Sequence, residues 1–224
     1  MTVSPASAVA AEPVAAPAAI VPGSLGVFGG TFDPVHHGHL AIAEEAREAL
    51  GLERVMFVPA AASPFKTDRA VTDPAHRLAM VEAAIEGNPA FACSRLELAR
   101  PAPSYTVDTL AALATDGTGP DALWLILSSE ALAGLPRWRD PGPGPGSARV
   151  GVVPRAGHDP LGPRWVGGAF PGREDRFAFL SGPLLPISGS VVRRRAAAGR
   201  SVRYLVPDAV ARYIKMYGLY SNPA

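Results

Sequence analysis

Cysteine is nearly missing from this chain: Cys93 stands alone. That excludes an internal disulfide framework and points to a reducing compartment; a lone thiol is most simply a small buried core residue. A surplus of either charge is missing too. With 21 basic and 20 acidic residues the formal charge is +1, which gives no ground for a nucleic-acid polymer or a membrane surface as partner. No apolar run reaches the roughly 18 residues of a spanning helix. The stretch from Met1 to Pro22 has no basic segment ahead of an apolar one, and Glu12 and several prolines interrupt it. It reads as a disordered Ala/Pro-rich extension, residues 1–23, rather than a signal peptide, so the cytoplasm is the expected location. Also missing are G-x-x-x-x-G-K-[ST] and G-x-G-x-x-G, so P-loop hydrolysis and hydride transfer lose their usual sequence support.

What is present is an apolar, evenly charged chain (48% hydrophobic, 18% charged) of 224 residues. That is enough for one sizeable domain, expected over residues 24–220 with a helical C-terminal part. Leu25, Val27 and Phe28 open a buried strand that ends in Gly29-Gly30. A helix pattern runs from about His39 to Leu50, with Leu40, Ala43, Ala46 and Leu50 on one side. Strands follow at Arg54–Val58, Phe91–Ser94, Ala122–Leu127, Arg149–Val153 and Phe177–Leu180. Between them, a helix capped by Thr72 or Asp73 buries Leu78, Val81, Ala84 and Ile85, and another spans Ser104–Leu113, capped by Ser104 or Thr106. A short helix runs to Leu135, one capped by Ser188 or Ser190 reaches Arg195, and a last one covers Pro207–Tyr217. The Gly/Pro-rich stretches Pro141–Gly146 and Gly157–Gly172 read as irregular; Trp124, in a buried strand, and Trp165, in the second of these stretches, both read as core residues. This alternation predicts an α/β fold: an open, mostly parallel twisted sheet with helices on both faces. Ligands of such sheets bind beyond the carboxyl ends of the strands, where the winding reverses. If it reverses between the first and fourth strands, Gly29-Gly30 faces Ser128-Ser129-Glu130 across one crevice.

Three of the five histidines, His36, His37 and His39, crowd the turn between first strand and first helix, with Thr31 and Asp33. Glycine backbone, free N–H groups at a helix N-terminus and protonatable imidazoles together make a phosphate site. If His39 opens the helix, it and His36 both face the positive end of the dipole, and Gly38 lets a phosphate approach the backbone. The plainer reading is a polar cap on the helix. A metal site is the third, but the spacing is not H-E-x-x-H and no cysteine lies nearby.

The segment GGTFDPVHHGH resembles the first signature of the nucleotidylyltransferase superfamily, its T/H-x-G-H element falling on His36 to His39. Three more segments are similar to bacterial nicotinate-nucleotide adenylyltransferases: SYTVDTL at Ser104–Leu110, ALAGLPRW at Ala131–Trp138 and ISGSVVR at Ile187–Arg193. The resemblance runs from Leu25 to about Tyr217 and implies the superfamily's Rossmann-like fold. It implies transfer of AMP from ATP to a pyridine mononucleotide with release of pyrophosphate. The acceptor phosphate is itself the nucleophile, so catalysis reduces to in-line positioning and charge neutralisation, with Mg²⁺ carried on the ATP phosphates and no dedicated protein cage. On this resemblance His36 and His39 contact the ATP phosphates, Lys66 the phosphates between the substrates, and Ser188 and Arg193 the β and γ phosphates. Gly29, Gly30, Thr31, Phe32, Ser128 and Glu130 border the nucleotide. Thr106 and Trp138 serve the acceptor, the first with the nicotinate carboxylate and the second stacked on the pyridine. The partners are therefore ATP and a pyridine mononucleotide, and a homo-oligomer is compatible with them.

Taken alone, Lys66 is a solvated loop charge and the run Arg193-Arg194-Arg195 a wet helix face; only Arg193 belongs to a matched motif. The chain departs from the family pattern in three places. Phe65 stands where a histidine usually precedes the loop lysine, Ser128-Ser129-Glu130 replaces Gly-x-Asp, and Gly189-Ser190 replaces Ser-Thr. These departures keep two other expectations open: the same transfer to another phosphorylated acceptor, and a nucleotide-binding paralogue without turnover.

Overall fold

The computed structural model describes residues 18–61, 71–101, 103–115, 119–141, 148–158 and 161–221. Lys66 and Phe65, most of the N-terminal extension and all but Pro141 of the Pro141–Gly146 stretch lie outside them. The strands are β1 (Val21–Gly30), β2 (Leu52–Pro59), β3 (Phe91–Cys93), β4 (Leu123–Ser128), β5 (Arg149–Val153) and β6 (Phe177–Phe179). They form one parallel sheet in the order β3-β2-β1-β4-β5-β6. The winding reverses between β1 and β4, the condition under which Gly29-Gly30 faces Ser128-Ser129-Glu130.

The side-chain alternation of β4 sorts the helices into two layers. Trp124 and Ile126 face α1 (His37–Ala49), α2 (Pro74–Ile85), α6 (Gly189–Ala197) and α7 (Asp208–Met216). Leu123, Leu125 and Leu127 point the other way, toward Leu113 of α3 (Thr106–Thr115), Leu132 of α4 (Ser129–Gly134) and Val166 of α5 (Pro163–Ala169). The apolar run of β4 is thus buried on both faces, as central parallel strands require.

The structure revises several local expectations. β1 begins at Val21, paired with Leu52, inside the segment read as an extension. α1 starts at His37 instead of His39 because His36 is its N-cap. On α2, Asp73 is the cap, but Arg77 and Met80 are the buried side chains beside Val81 and Ile85, and Leu78 and Ala84 are only half-buried. α3 starts at Thr106, and the Ser104 hydroxyl instead accepts from the Ala61 N–H at 3.3 Å. The stretch expected to be irregular contains α5, with Pro163 in its first turn and Trp165 and Val166 packed against the Phe177 cluster.

Candidate active site

The crevice originates in the pairing register. β1 stays paired with β2 to Gly30↔Pro59, and β4 with β5 to Ser128↔Val153. Between β1 and β4, however, the pairing ends at Val27↔Leu125. Beyond that pair the two central strands part, and Gly30 and Ser128, at equal steps past it, border the opening. Because every strand is parallel, the chain leaving each one enters at this same edge.

On the β1 side the turn is built on aromatic packing. Phe32 is 2% exposed and lies in the core with Phe28 and Phe57, at centroid distances of 5.6 and 5.7 Å. Its ring lies edge-on to that of His39 at 5.1 Å, so the Phe32 side chain supports a histidine from below and leaves only its backbone to border a nucleotide. Gly30 is required here, since a Cβ would come within 2.9 Å of the Phe32 ring. The same site would be closed by a larger residue, while the space beside Gly29 is open.

His36 and His39 stack with centroids 3.7 Å apart and planes 24° from parallel. The His36 backbone N–H donates to Nδ1 of His39 at 3.3 Å. That acceptor role places the neutral His39 proton on Nε2, the nitrogen away from the helix backbone. His36 is 6% exposed, and among the described residues its Nδ1 has no hydrogen-bond partner. Burial first, and then the charge of Arg155, lower its pKa to about 4. The expectation of protonatable imidazoles is therefore corrected for His36: in its desolvated position it is neutral at physiological pH.

A second helix N-terminus meets the first at this point. Ser188 caps α6, accepting from the Val191 N–H at 3.3 Å. A Cβ on Gly189 would lie 2.8 Å from the carbonyl oxygen of Asp33, so the departure from Ser to Gly at this position lets α6 close onto the β1–α1 turn. Arg193, one turn into α6, donates from Nη1 to the Asp33 carbonyl and from Nη2 to Ser190 Oγ at 3.1 Å. Its Nη1 also stands 3.7 Å from Asp33 Oδ2. Two N-terminal dipole ends and a guanidinium converge where a polyphosphate would lie.

The opposite wall carries Ser128, Ser129 and Glu130. Ser128 caps α4 by accepting from the Ala131 N–H at 3.2 Å, so its hydroxyl has a structural partner. Buried Ser129 accepts from the Arg155 N–H at 3.2 Å. Glu130 forms an ion pair with the Arg155 guanidinium and has His158 Nε2 at 3.9 Å. At the far end, Thr106 opens α3 next to Tyr105, whose ring lies 4.9 Å under the Arg139 guanidinium. Arg139 follows Trp138, which is half-buried, so the α3 start and the tryptophan segment are tied together. Below them, the buried Glu97 carboxylate accepts from Thr109 Oγ1 at 2.9 Å.

Three residues escaped the sequence reading. Arg77, 1% exposed, donates to the carbonyls of Thr72, Thr31 and Ala61 at 2.9, 2.8 and 3.2 Å, joining the β1 turn to both sides of the loop that carries Lys66. Its position on the apolar stripe of α2 with Val81 was the available signal. Arg155 and Tyr220, whose hydroxyl donates to Asp33 Oδ1 at 2.8 Å, carried no such signal. Among the described residues no three His, Cys, Asp or Glu side chains gather as a metal set.

Residues 27–195 match the family model described as cytidylyltransferase-like. The chain is 46% identical, over 88% of its length and 97% of the relative, to a protein of Roseiflexus sp. (strain RS-1) named probable nicotinate-nucleotide adenylyltransferase. A protein of the same name from Thermomicrobium roseum (strain ATCC 27502 / DSM 5159 / P-2) is 43% identical over 88% of this chain and 91% of its own. Among solved structures, nicotinic acid mononucleotide adenylyltransferase of Plasmodium falciparum, in complex with NaAD, superposes with a TM-score of 0.71 at 18% identity. That match covers 88% of this chain and 96% of the other and concerns the fold.

Proposed function

The chain belongs to the cytidylyltransferase-like family and, within it, to the nicotinate-nucleotide adenylyltransferases, and from that premise we propose how its residues divide the work. The enzyme transfers AMP from ATP to nicotinate mononucleotide, giving nicotinate adenine dinucleotide and pyrophosphate. A phosphate oxygen of the mononucleotide attacks the α-phosphorus of ATP, and the bond from that phosphorus to the bridging oxygen of pyrophosphate breaks. No proton has to leave the nucleophile, so the protein supplies alignment and counter-charge.

His39, with its proton on Nε2, donates to the α and β phosphates, where charge grows as the bond breaks. His36 acts as a neutral neighbour, and a phosphate or its shell satisfies the orphaned Nδ1. Ser188, the α6 N-terminus and Arg193 hold the β and γ phosphates. Gly29, Gly30, Thr31 and the Phe32 backbone border the nucleotide on one wall, with Ser128 and Glu130 on the other. Lys66 neutralises the phosphates between the substrates, Thr106 and the start of α3 take the nicotinate carboxylate, and Trp138 stacks on the pyridine. Mg²⁺ enters as part of the substrate, on the ATP phosphates. The proposed compartment is the cytoplasm, in keeping with an unpaired Cys93. Among the described residues no helix is long and apolar enough to cross a membrane.

The observation that carries this reading is the convergence of the α1 and α6 N-termini with Arg193 at the mouth of the β1/β4 crevice. Pyrophosphate release with Mg²⁺–ATP and either nicotinate or nicotinamide mononucleotide tests it, with His39→Ala as the matched variant. Release with the nicotinate form is expected, falling roughly 100-fold or more in the variant while its circular dichroism is unchanged. No release with either mononucleotide overturns the activity; an unchanged rate in His39→Ala overturns the role of that histidine.

A further inference from the structure

The polar contacts of Arg193 do not end at the phosphate site. Asp33, 4% exposed, sits behind this side chain: its carbonyl accepts from Arg193 Nη1, and its carboxylate Oδ2 stands 3.7 Å from the same nitrogen as an ion pair. A carboxylate so buried is stable only when its charge is answered, and the second answer comes from the far end of the chain. α7 ends, Gly218 takes a φ of +59°, and the Leu219 N–H returns to the Ile214 carbonyl at 3.0 Å. This reversal carries Tyr220 back onto the main core cluster, where its hydroxyl donates to Asp33 Oδ1 at 2.8 Å. Burial and the neighbouring carboxylate push the Tyr220 pKa up, so the phenol stays a donor through any assay pH.

We propose that Tyr220 and Asp33 are positioning residues for Arg193: the C-terminal segment fixes the carboxylate, and the carboxylate fixes the guanidinium against the triphosphate. This rests on the reading of Arg193 as a phosphate ligand. The physical gain is preorganisation. An arginine side chain that is free to rotate loses rotamer entropy when it binds, and one already held by Asp33 and Ser190 loses less. Tyr220 touches no substrate and acts through two intermediates, so its effect belongs on ATP and not on the acceptor.

A double-mutant cycle in the full-length protein tests the relay. Mg²⁺–ATP affinity is measured by calorimetry without acceptor for wild type, Tyr220→Phe, Arg193→Ala and the pair. Tyr220→Phe keeps the ring and removes one hydrogen bond to a charged group, so ATP binding is expected to weaken about tenfold. In the Arg193→Ala background the same change is expected to cost nothing further. In steady state the KM for ATP rises while the KM for the mononucleotide stays put. Equal losses in both backgrounds, or no loss in the wild-type background, overturn the relay while leaving Arg193 as a phosphate ligand. Arg193→Ala binding ATP as wild type does overturns the reading beneath it as well. Should Tyr220→Phe fail to fold, Asp33→Asn enters the same cycle; a full loss in the Arg193→Ala background again overturns the relay, and loss only with Arg193 present supports it.

Discussion

Desolvation makes His36 a pH-dependent stability element. Its pKa is about 4 in the folded protein against an ordinary 6.5, because burial and Arg155 disfavour the imidazolium. Between these values the unfolded chain binds a proton that the folded chain refuses. The stability associated with neutral His36 is therefore fully present above about pH 6.5 and is lost as pH falls through about 4. A shift of this size corresponds to roughly 3 kcal/mol. Urea denaturation of wild type at pH 7 and pH 4.5 is expected to show much of that loss, and His36→Asn to show a shallower pH slope; equal slopes would refute the assignment. Cys93 illustrates the opposite effect of burial, its thiol pushed up to about 12, which leaves it a protonated core group rather than a nucleophile. Both histidines of the site were legible in the sequence because the turn is local. The protonation state of His36 was not, since it depends on what covers the ring and on Arg155, which arrives from β5.

Among the elements, α2 shows what sequence periodicity can and cannot deliver. Its cap and apolar stripe were readable, yet one stripe position holds a buried arginine that joins three carbonyls from Thr31, Ala61 and Thr72. Those partners span sequence separations up to 46 residues, so only the folded chain reveals them. Arg77→Met removes the donors and leaves three backbone acceptors without them, and an expected cost of about 3–5 kcal/mol follows, a large share of a domain's stability. Arg77→Lys should recover only part, because an ammonium cannot reproduce the planar fork. Chemical denaturation of both variants measures this, and losses under about 1 kcal/mol would show the arginine to be dispensable. α5 was hidden for a different reason. Two turns in a Gly/Pro-rich stretch have little propensity of their own, and burying Val166 and Trp165 against Phe177 stabilises them from outside the segment. The strands were legible because each is a short apolar run, and alternation with helices made them parallel; their order became visible only in the folded sheet.

At the scale of the molecule, the sheet consists of two halves joined by a short seam. β1 and β4 pair only through Leu25↔Leu123, Gly26↔Trp124 and Val27↔Leu125, and the strands part where the nucleotide is proposed to enter. The proposed triphosphate ligands come from both sides of that seam: His36 and His39 follow β1, while Ser188 and Arg193 follow β6. A nucleotide seated there ties together segments that the sheet itself leaves apart, and its binding free energy becomes folding free energy. Mg²⁺–ATP at about 100 times its Kd is expected to add roughly 2.7 kcal/mol. For a chain of this length that corresponds to a melting temperature higher by roughly 5–10 °C. AMP offers the adenosine and one phosphate but nothing for the α6 N-terminus or Arg193 to hold. At matched concentration it should shift the midpoint far less. Scanning calorimetry with ATP, AMP and nicotinate mononucleotide separates the contributions. If AMP stabilises as well as ATP does, the two converging helix termini are not the triphosphate site, and affinity resides with the adenosine wall at Ser128 and Glu130.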